Sequence, residues 1–118
     1  MPPKSSLRRG GVVLVLFPHS NLRAAKRRPA LVVQADGLGT GLPQVVIAMI
    51  TSNLARAGHP SRVAIRISSQ QGRRAGRLSD SVVMTDNLAT VGESEIDRVI
   101  GAMRMAAVDV ALRHSLGL

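Results

Sequence analysis

The chain of 118 residues carries 16 Lys and Arg against 7 Asp and Glu, a formal net charge of +9. Its length and a hydrophobic fraction of 45% predict one domain with one core over residues 1–118. Cysteine is absent, which excludes disulfides and thiolate metal sites and is typical of a reducing compartment, so we expect a cytoplasmic protein. We expect no membrane association, because the apolar run Val12–Phe17 is too short for a membrane span or a signal peptide.

The positive charge is concentrated in the first two-thirds of the sequence. Met1 to Ser79 holds 13 basic residues and one acidic residue, a net charge of +12, whereas Asp80 to Leu118 holds three basic and six acidic residues, a net charge of −3. This separation predicts a surface for an anionic partner, and the arginine that dominates the cations suits bidentate contact with phosphate. Phe17 is the single aromatic residue, which argues against base stacking on aromatic side chains. We therefore expect phosphate-directed, salt-sensitive binding of RNA.

Five short segments rich in β-branched residues are predicted to be strands. In chain order they are Val12–Phe17, Ala30–Gln34, Val45–Ile50, Arg62–Ile67 and Val82–Thr85. The fourth alternates apolar and polar residues, which is typical of a half-exposed strand. The first and third are apolar on both faces, so we expect them in the interior of the sheet.

After Gly92 the apolar spacing changes to that of a helix. The periodicity allows one helix from Glu95 to Ser115, although an interior glycine at position 101 would cost such a helix about 1 kcal/mol. The alternative is that Gly101 separates a turn and a strand from a terminal helix. With short strands and no room for parallel crossovers, the pattern predicts a small, mainly β barrel with a C-terminal α-helix.

Two strand ends carry residues suited to chemistry on a phosphate. The cationic segment Lys26–Arg28 leads directly into one buried strand, and another buried strand ends in the polar triplet Thr51–Asn53. If these strands are neighbours, Arg28 and Thr51 can hold the non-bridging oxygens while the 2′-hydroxyl of RNA attacks phosphorus, which requires no metal. The alternative is that Arg28 only solvates a strand end and Thr51 belongs to an ordinary turn. Spacing alone favours this alternative.

No metal or cofactor site is predicted. His19, His59 and His114 are widely spaced and lack neighbours at ligand spacing, and the carboxylates are few and mostly C-terminal. Two histidines could serve as acid and base on RNA, but solvated loop histidines are the commoner situation.

Taken together, these segments resemble the MazF/PemK family of toxin endoribonucleases. The similar segments, in the family's order, are Arg9–Val15, Lys26–Val33, Ile47–Asn53, Ser81–Val91 and Val108–Leu118. The second resembles the family's Arg-Pro-Ala-Leu-Val motif and the third its Ile-Thr-Ser strand end. The resemblance implies an SH3-like β-barrel of the CcdB/MazF/PemK kind, with a strand near Val99–Met103 and a helix from about Met105.

The resemblance also implies an activity and its partners. It implies a homodimer that holds single-stranded RNA at the dimer interface and cleaves it without metal, leaving a 2′,3′-cyclic phosphate and a 5′-hydroxyl. The catalytic residues would be Arg28 and Thr51. A cognate antitoxin with an acidic tail would occupy the same groove. Further candidates for RNA binding are Arg23, Lys26, Arg27, Ser52, Asn53, Arg56, Arg73 and Arg74.

Several positions depart from the family's pattern. Gly11 replaces a usual acidic residue, Asn87 a usual glutamine and Ala89 a common basic residue. Segment 18–27 lacks the carboxylate that many members carry before the Arg-Pro motif. If that carboxylate helps with proton transfer, this protein is either slow or uses His19 instead. Two other functions are alternatives to RNA cleavage. One is a gyrase-directed toxin of the CcdB kind, which resembles the same barrel, and the other is a non-catalytic RNA-binding barrel.

Overall fold

The computed structural model describes residues 7–18, 25–76 and 79–118. Its strands are β1 (Gly11–Pro18), β2 (Ala25–Val32), β3 (Gln44–Thr51), β4 (Arg62–Ile65), β5 (Ser81–Gly92) and β6 (Ile96–Ala102). Its helices are α1 (Gln70–Arg74) and α2 (Ala106–Leu116), with short 3-10 turns at Leu54–Arg56 and Glu93–Glu95. No helix in the described ranges is long and apolar enough to cross a membrane.

The six strands form one antiparallel sheet in the order β4-β5-β3-β2-β1-β6. The predicted mainly β architecture with a C-terminal helix is therefore confirmed. The sheet is not closed, because β4 and β6 lie at its edges and no pairing joins them in the described part of the chain. The two apolar runs expected in the interior belong to β1 and β3, each of which pairs on both sides.

Strand β5 is much longer than predicted. The sequence indicates an end at Thr85, where the polar pair Asp86–Asn87 interrupts the apolar pattern. In the structure this pair lies in a bulge, and the pairing with β3 resumes at Leu88 and continues to Gly92. The bulge therefore joins two segments that the sequence pattern separates.

Strand β4 is shorter than predicted and ends at Ile65 rather than Ile67. The chain turns away because the Ile67 N–H donates to Asp80 Oδ1 at 2.8 Å instead of to a neighbouring strand. The connection that follows contains α1, which the sequence pattern did not indicate.

The C-terminal region is divided as the resemblance implied, and a single helix from Glu95 to Ser115 is wrong. Gly101 lies inside β6 and packs closely against the segment between β4 and β5 that contains α1. A Cβ atom at this position would lie 2.4 Å from both the carbonyl carbon of Ala75 and the carbonyl oxygen of Arg74. Only glycine therefore lets the backbone after β4 approach the opposite edge strand, β6.

We expect Gly101→Ala to lower the free energy of unfolding by about 1–3 kcal/mol, the usual cost of overpacking a close contact. The midpoint of urea denaturation measures this loss. Ala102→Ser, at the adjacent exposed position, is the control and should shift stability by no more than about 0.5 kcal/mol. Equal midpoints for Gly101→Ala and the unmodified protein would contradict the close approach.

The alternation of side chains divides the core into two layers, one on each face of the sheet. One cluster contains Val13, Val15, Ala30, Val32, Val45, Ile47, Val91 and Ile96. The other contains Val12, Leu31, Ala48, Ile50, Ile65, Ala75, Val83, Met103 and Val108. Helix α2 covers the second layer through Val108. The strand ends that carry the predicted site residues extend from this two-layered core.

Candidate active site

The cationic segment Lys26–Arg28 and the polar end of β3 meet because β2 and β3 are neighbours. The segment was predicted to precede a strand that begins at Ala30, but it lies inside β2, which begins at Ala25. The register of the two strands pairs Ala30 with Met49 and continues in the antiparallel sense through Val32 and Ile47. Extending this register by two residues in the other direction places Arg28 opposite Thr51. Opposed residues share a face of the sheet, so the two side chains emerge on the same side. The predicted chemistry required that the two strands be neighbours, and they are.

An open cleft of about 450 Å³ lies between these two segments. Its lining residues are Lys26, Arg27, Arg28, Pro29, Met49, Ile50, Thr51, Ser52, Met84 and Asn87. Among the described residues, the lining contains three cations and no carboxylate. Such a cleft suits an anionic ligand, which can contact both the cations and the strand-end hydroxyls.

The hydroxyl of Thr51 is oriented by the turn that follows it. Thr51 Oγ1 accepts a hydrogen bond from the Asn53 N–H at 3.1 Å, and Asn53 Oδ1 in turn accepts from the Ala55 N–H at 3.2 Å. Because the Thr51 oxygen accepts inside the turn, its proton is available for a ligand in the cleft. The turn chemistry and the functional interpretation of Thr51 are therefore compatible.

The cations of the cleft differ in their partners. Arg28 and Lys26 are exposed, and their side chains form no ion pair or hydrogen bond within the described residues. Arg27 lies 3.0 Å from Asp97 of β6, measured from Nε to Oδ2. Arg28 can therefore donate its guanidinium N–H groups to a phosphate without first breaking an ion pair with another described residue.

Comparison with known proteins places the chain in a family. Residues 8–116 match the model of PemK-like, MazF-like toxins of type II toxin–antitoxin systems. The chain belongs to this family. It is 37% identical over 107 residues to the endoribonucleases MazF2 of Mycobacterium bovis and MazF6 of Mycobacterium tuberculosis, which covers 87% of this chain and 90% of each relative.

A solved structure shows the same fold. It is a mycobacterial endoribonuclease in complex with its cognate antitoxin, and it superposes with a TM-score of 0.74 at 23% sequence identity. The match covers 96% of this chain and 97% of that one. The six-stranded sheet with its terminal helix is therefore the PemK/MazF-family fold.

The structure brings half of the predicted site residues of this PemK/MazF-family protein into the cleft. These are Lys26, Arg27, Arg28, Thr51 and Ser52. Four others lie elsewhere: Asn53 and Arg56 belong to the turn after the cleft, and Arg73 and Arg74 lie on α1. Arg23 is outside the described residues, as is His19. Their part in RNA binding stays a prediction.

Asn87 is a cleft residue that the sequence did not identify as a site. The bulge in β5 brings it there: Ala48 pairs with Leu88 and the next residue, Met49, pairs with Met84, so residues 85–87 have no opposite partners. Bulges redirect side chains in this way. Sequence reasoning noted Asn87 only as a departure from the family's pattern, because a bulge leaves no local signal. Gly11 and Ala89, two other departures, do not line the cleft.

We expect Asp97→Asn to strengthen RNA binding by up to about fivefold at low salt, because exposed ion pairs are worth about 0.2–1 kcal/mol and the change releases Arg27. The measurement is a binding titration with single-stranded RNA at several salt concentrations, in which the gain should decrease as salt rises. Asp80→Asn removes one negative charge outside the cleft and is the matched control. An equal gain in both variants would indicate an effect of net charge alone.

Proposed function

We propose that this protein is an endoribonuclease toxin that cleaves single-stranded RNA in the cleft between β2 and β3 without a metal ion. The observation that carries the proposal is that Arg28 and Thr51 line the same cleft. Arg28 has no ionic partner in the described chain, and the Thr51 hydroxyl is oriented by the turn that follows it. Two relatives named as endoribonucleases, at 37% identity over most of both chains, support it.

In this mechanism the 2′-hydroxyl oxygen forms a bond to phosphorus while the bond from phosphorus to the 5′-oxygen breaks. The products are a 2′,3′-cyclic phosphate and a 5′-hydroxyl. Arg28 and Thr51 donate hydrogen bonds to the non-bridging oxygens, where negative charge increases in the transition state. The attacking hydroxyl loses a proton and the departing oxygen gains one. Because none of the cleft residues that the structure describes is a carboxylate or histidine, water or His19 would carry these protons.

The partners follow from the same cleft. We propose that RNA phosphates contact Lys26 and Arg27 beside the catalytic pair, and that a cognate antitoxin with an acidic tail competes for these cations. The structural relative bound to its antitoxin is consistent with such a partner. The proposal includes a homodimer with the RNA groove at its interface, and action in the cytoplasm.

The test is incubation of the purified protein with single-stranded RNA in the presence of EDTA. We expect cleavage, with a 2′,3′-cyclic phosphate on one product and a 5′-hydroxyl on the other, identified by end-specific enzymatic labelling. Loss of cleavage in EDTA with recovery on added Mg²⁺ would overturn the metal-free mechanism. Absence of RNA cleavage together with trapped gyrase–DNA complexes would favour the CcdB-like alternative, and salt-sensitive binding without products would favour a non-catalytic barrel.

A further inference from the structure

Arg62, the first residue of β4, connects the two segments that flank the cleft. Its Nη2 lies 2.7 Å and its Nε 3.3 Å from the two carboxylate oxygens of Asp86. Its Nη1 donates to the backbone carbonyl of Arg56 at 3.1 Å. Three donors of one guanidinium are thus engaged, and the side chain is only 21% exposed. A planar fork with several donors is a property of arginine that lysine lacks.

The two acceptors of Arg62 belong to two different segments next to the cleft. Asp86 lies in the β5 bulge and directly precedes Asn87, which lines the cleft. Arg56 ends the 3-10 turn that continues from Thr51 through its capping residue, Asn53. Arg62 is not a lining residue itself. It therefore joins the wall that carries Asn87 to the turn that orients the Thr51 hydroxyl.

Thr85, the first residue of the bulge, is also held by hydrogen bonds. The buried Thr85 donates from its N–H at 3.0 Å and from Oγ1 at 2.6 Å to the carbonyl oxygen of Ser61. Hydrogen bonding from Arg62 also lowers the pKa of Asp86 below its ordinary value, because the guanidinium stabilises the ionised carboxylate. Because Thr85 is held by Ser61, the position of the exposed residues Asp86 and Asn87 depends on the contact with Arg62.

We propose that Arg62 is a positioning residue for RNA cleavage, which holds the Asn87 wall and the Thr51 turn at a fixed separation without contacting RNA. This inference rests on the proposed function. Misplacement of a reacting group by about 1 Å can reduce a rate by about 10²-fold, so a brace of this kind has a measurable effect. The guanidinium is already occupied, which distinguishes Arg62 from the cations available to phosphate.

The same pair of strands supplies a matched control. Arg66 Nη1 lies 3.3 Å from Asp80 Oδ2 beyond the other end of β4. This second pair also joins an arginine to an aspartate across the connection between β4 and β5, but neither residue lines the cleft. Removal of either guanidinium changes the net charge equally.

The experiment compares Arg62→Gln with Arg66→Gln in single-turnover cleavage and in RNA binding. We expect Arg62→Gln to lower the cleavage rate about 10-fold or more while the RNA Kd changes less than about twofold. Arg66→Gln should leave both unchanged. A weaker affinity with a smaller salt slope for Arg62→Gln would show a phosphate contact and overturn the proposal.

Two further variants separate geometry from charge. Asp86→Asn should reproduce the defect, and the double variant should be no worse than either single variant, because both changes break the same brace. Arg62→Lys retains the charge without the fork and should stay defective. Full activity of Arg62→Lys, or additive losses in the double variant, would contradict the positioning role.

A readout independent of catalysis separates this inference from the proposed function. Amide hydrogen exchange of residues 53–57 and 85–88 should accelerate in Arg62→Gln and not in Arg66→Gln, with urea denaturation confirming that both are folded. If the unmodified protein does not cleave RNA, the proposed function fails while the exchange result still decides whether Arg62 braces the cleft. Unchanged exchange in both segments would overturn the inference.

Discussion

Arg28→Ala is expected to lower the rate of single-stranded RNA cleavage by about 10²–10³-fold, the usual effect of losing one preorganised donor to a developing charge. Arg28 is an exposed residue of β2 and has no described ionic partner, so its removal should leave the fold intact. Single-turnover cleavage gives the rate, and urea denaturation gives the stability. The loss should appear in the rate more strongly than in the RNA Kd, because the contact strengthens as charge builds on the phosphate.

Two controls accompany this variant. Arg113→Ala removes an equal charge from the exposed surface of α2 and should leave the cleavage rate unchanged. Arg28→Lys retains the charge without bidentate geometry and should recover only part of the rate. Cleavage by Arg28→Ala at the rate of the unmodified protein would show that Arg28 is not catalytic.

Thr51→Val is expected to have the next largest effect, a loss of about 10²-fold in cleavage rate, because it removes a hydroxyl donor while keeping the side chain's shape. The change also removes the acceptor of the Asn53 N–H. Asn53 is exposed, so water replaces this bond and the stability loss should stay below about 1 kcal/mol. The same single-turnover assay measures the rate.

Thr51→Ser keeps the hydroxyl and should retain most of the activity. Thr90→Val, at an exposed threonine of β5 opposite Val46, is the control for the loss of a strand hydroxyl outside the cleft. If Thr51→Val and Thr51→Ser cleaved RNA equally well, the hydroxyl would have no part in the reaction.

The sequence predicted the strands that carry the candidate site because their residues have strong local signals. The predicted strands Ala30–Gln34 and Val45–Ile50 are apolar runs bounded by polar residues, and Arg28 and Thr51 stand just outside them. In the structure Arg28 lies inside the longer strand β2, and Thr51 is the last residue of β3. Their predicted convergence depended on one unknown, whether the two strands are neighbours. The observed register supplies that fact.

Other parts of the site had no local signal. Asn87 reaches the cleft through a bulge, and a bulge reflects the mismatch of two paired strands rather than the composition of one. The role of Gly101 was equally hidden, because it depends on the approach of Ala75, which is distant in sequence. Arg62 was predicted only as the polar face of a strand, although its three contacts lie on segments before and after it.

The sequence by itself determined the residue types, the strands and the excess of positive charge before residue 80. Only the tertiary structure decided which of those charges are available to a ligand. In four ion pairs an arginine of the basic part meets an aspartate of the acidic part: Arg9–Asp109, Arg27–Asp97, Arg62–Asp86 and Arg66–Asp80. Electrostatic attraction depends on distance in space and not along the chain, so folding gives each of these arginines an acidic partner. In the cleft, Arg27 therefore has to exchange Asp97 for a phosphate, whereas Arg28 and Lys26 have no ionic partner among the described residues.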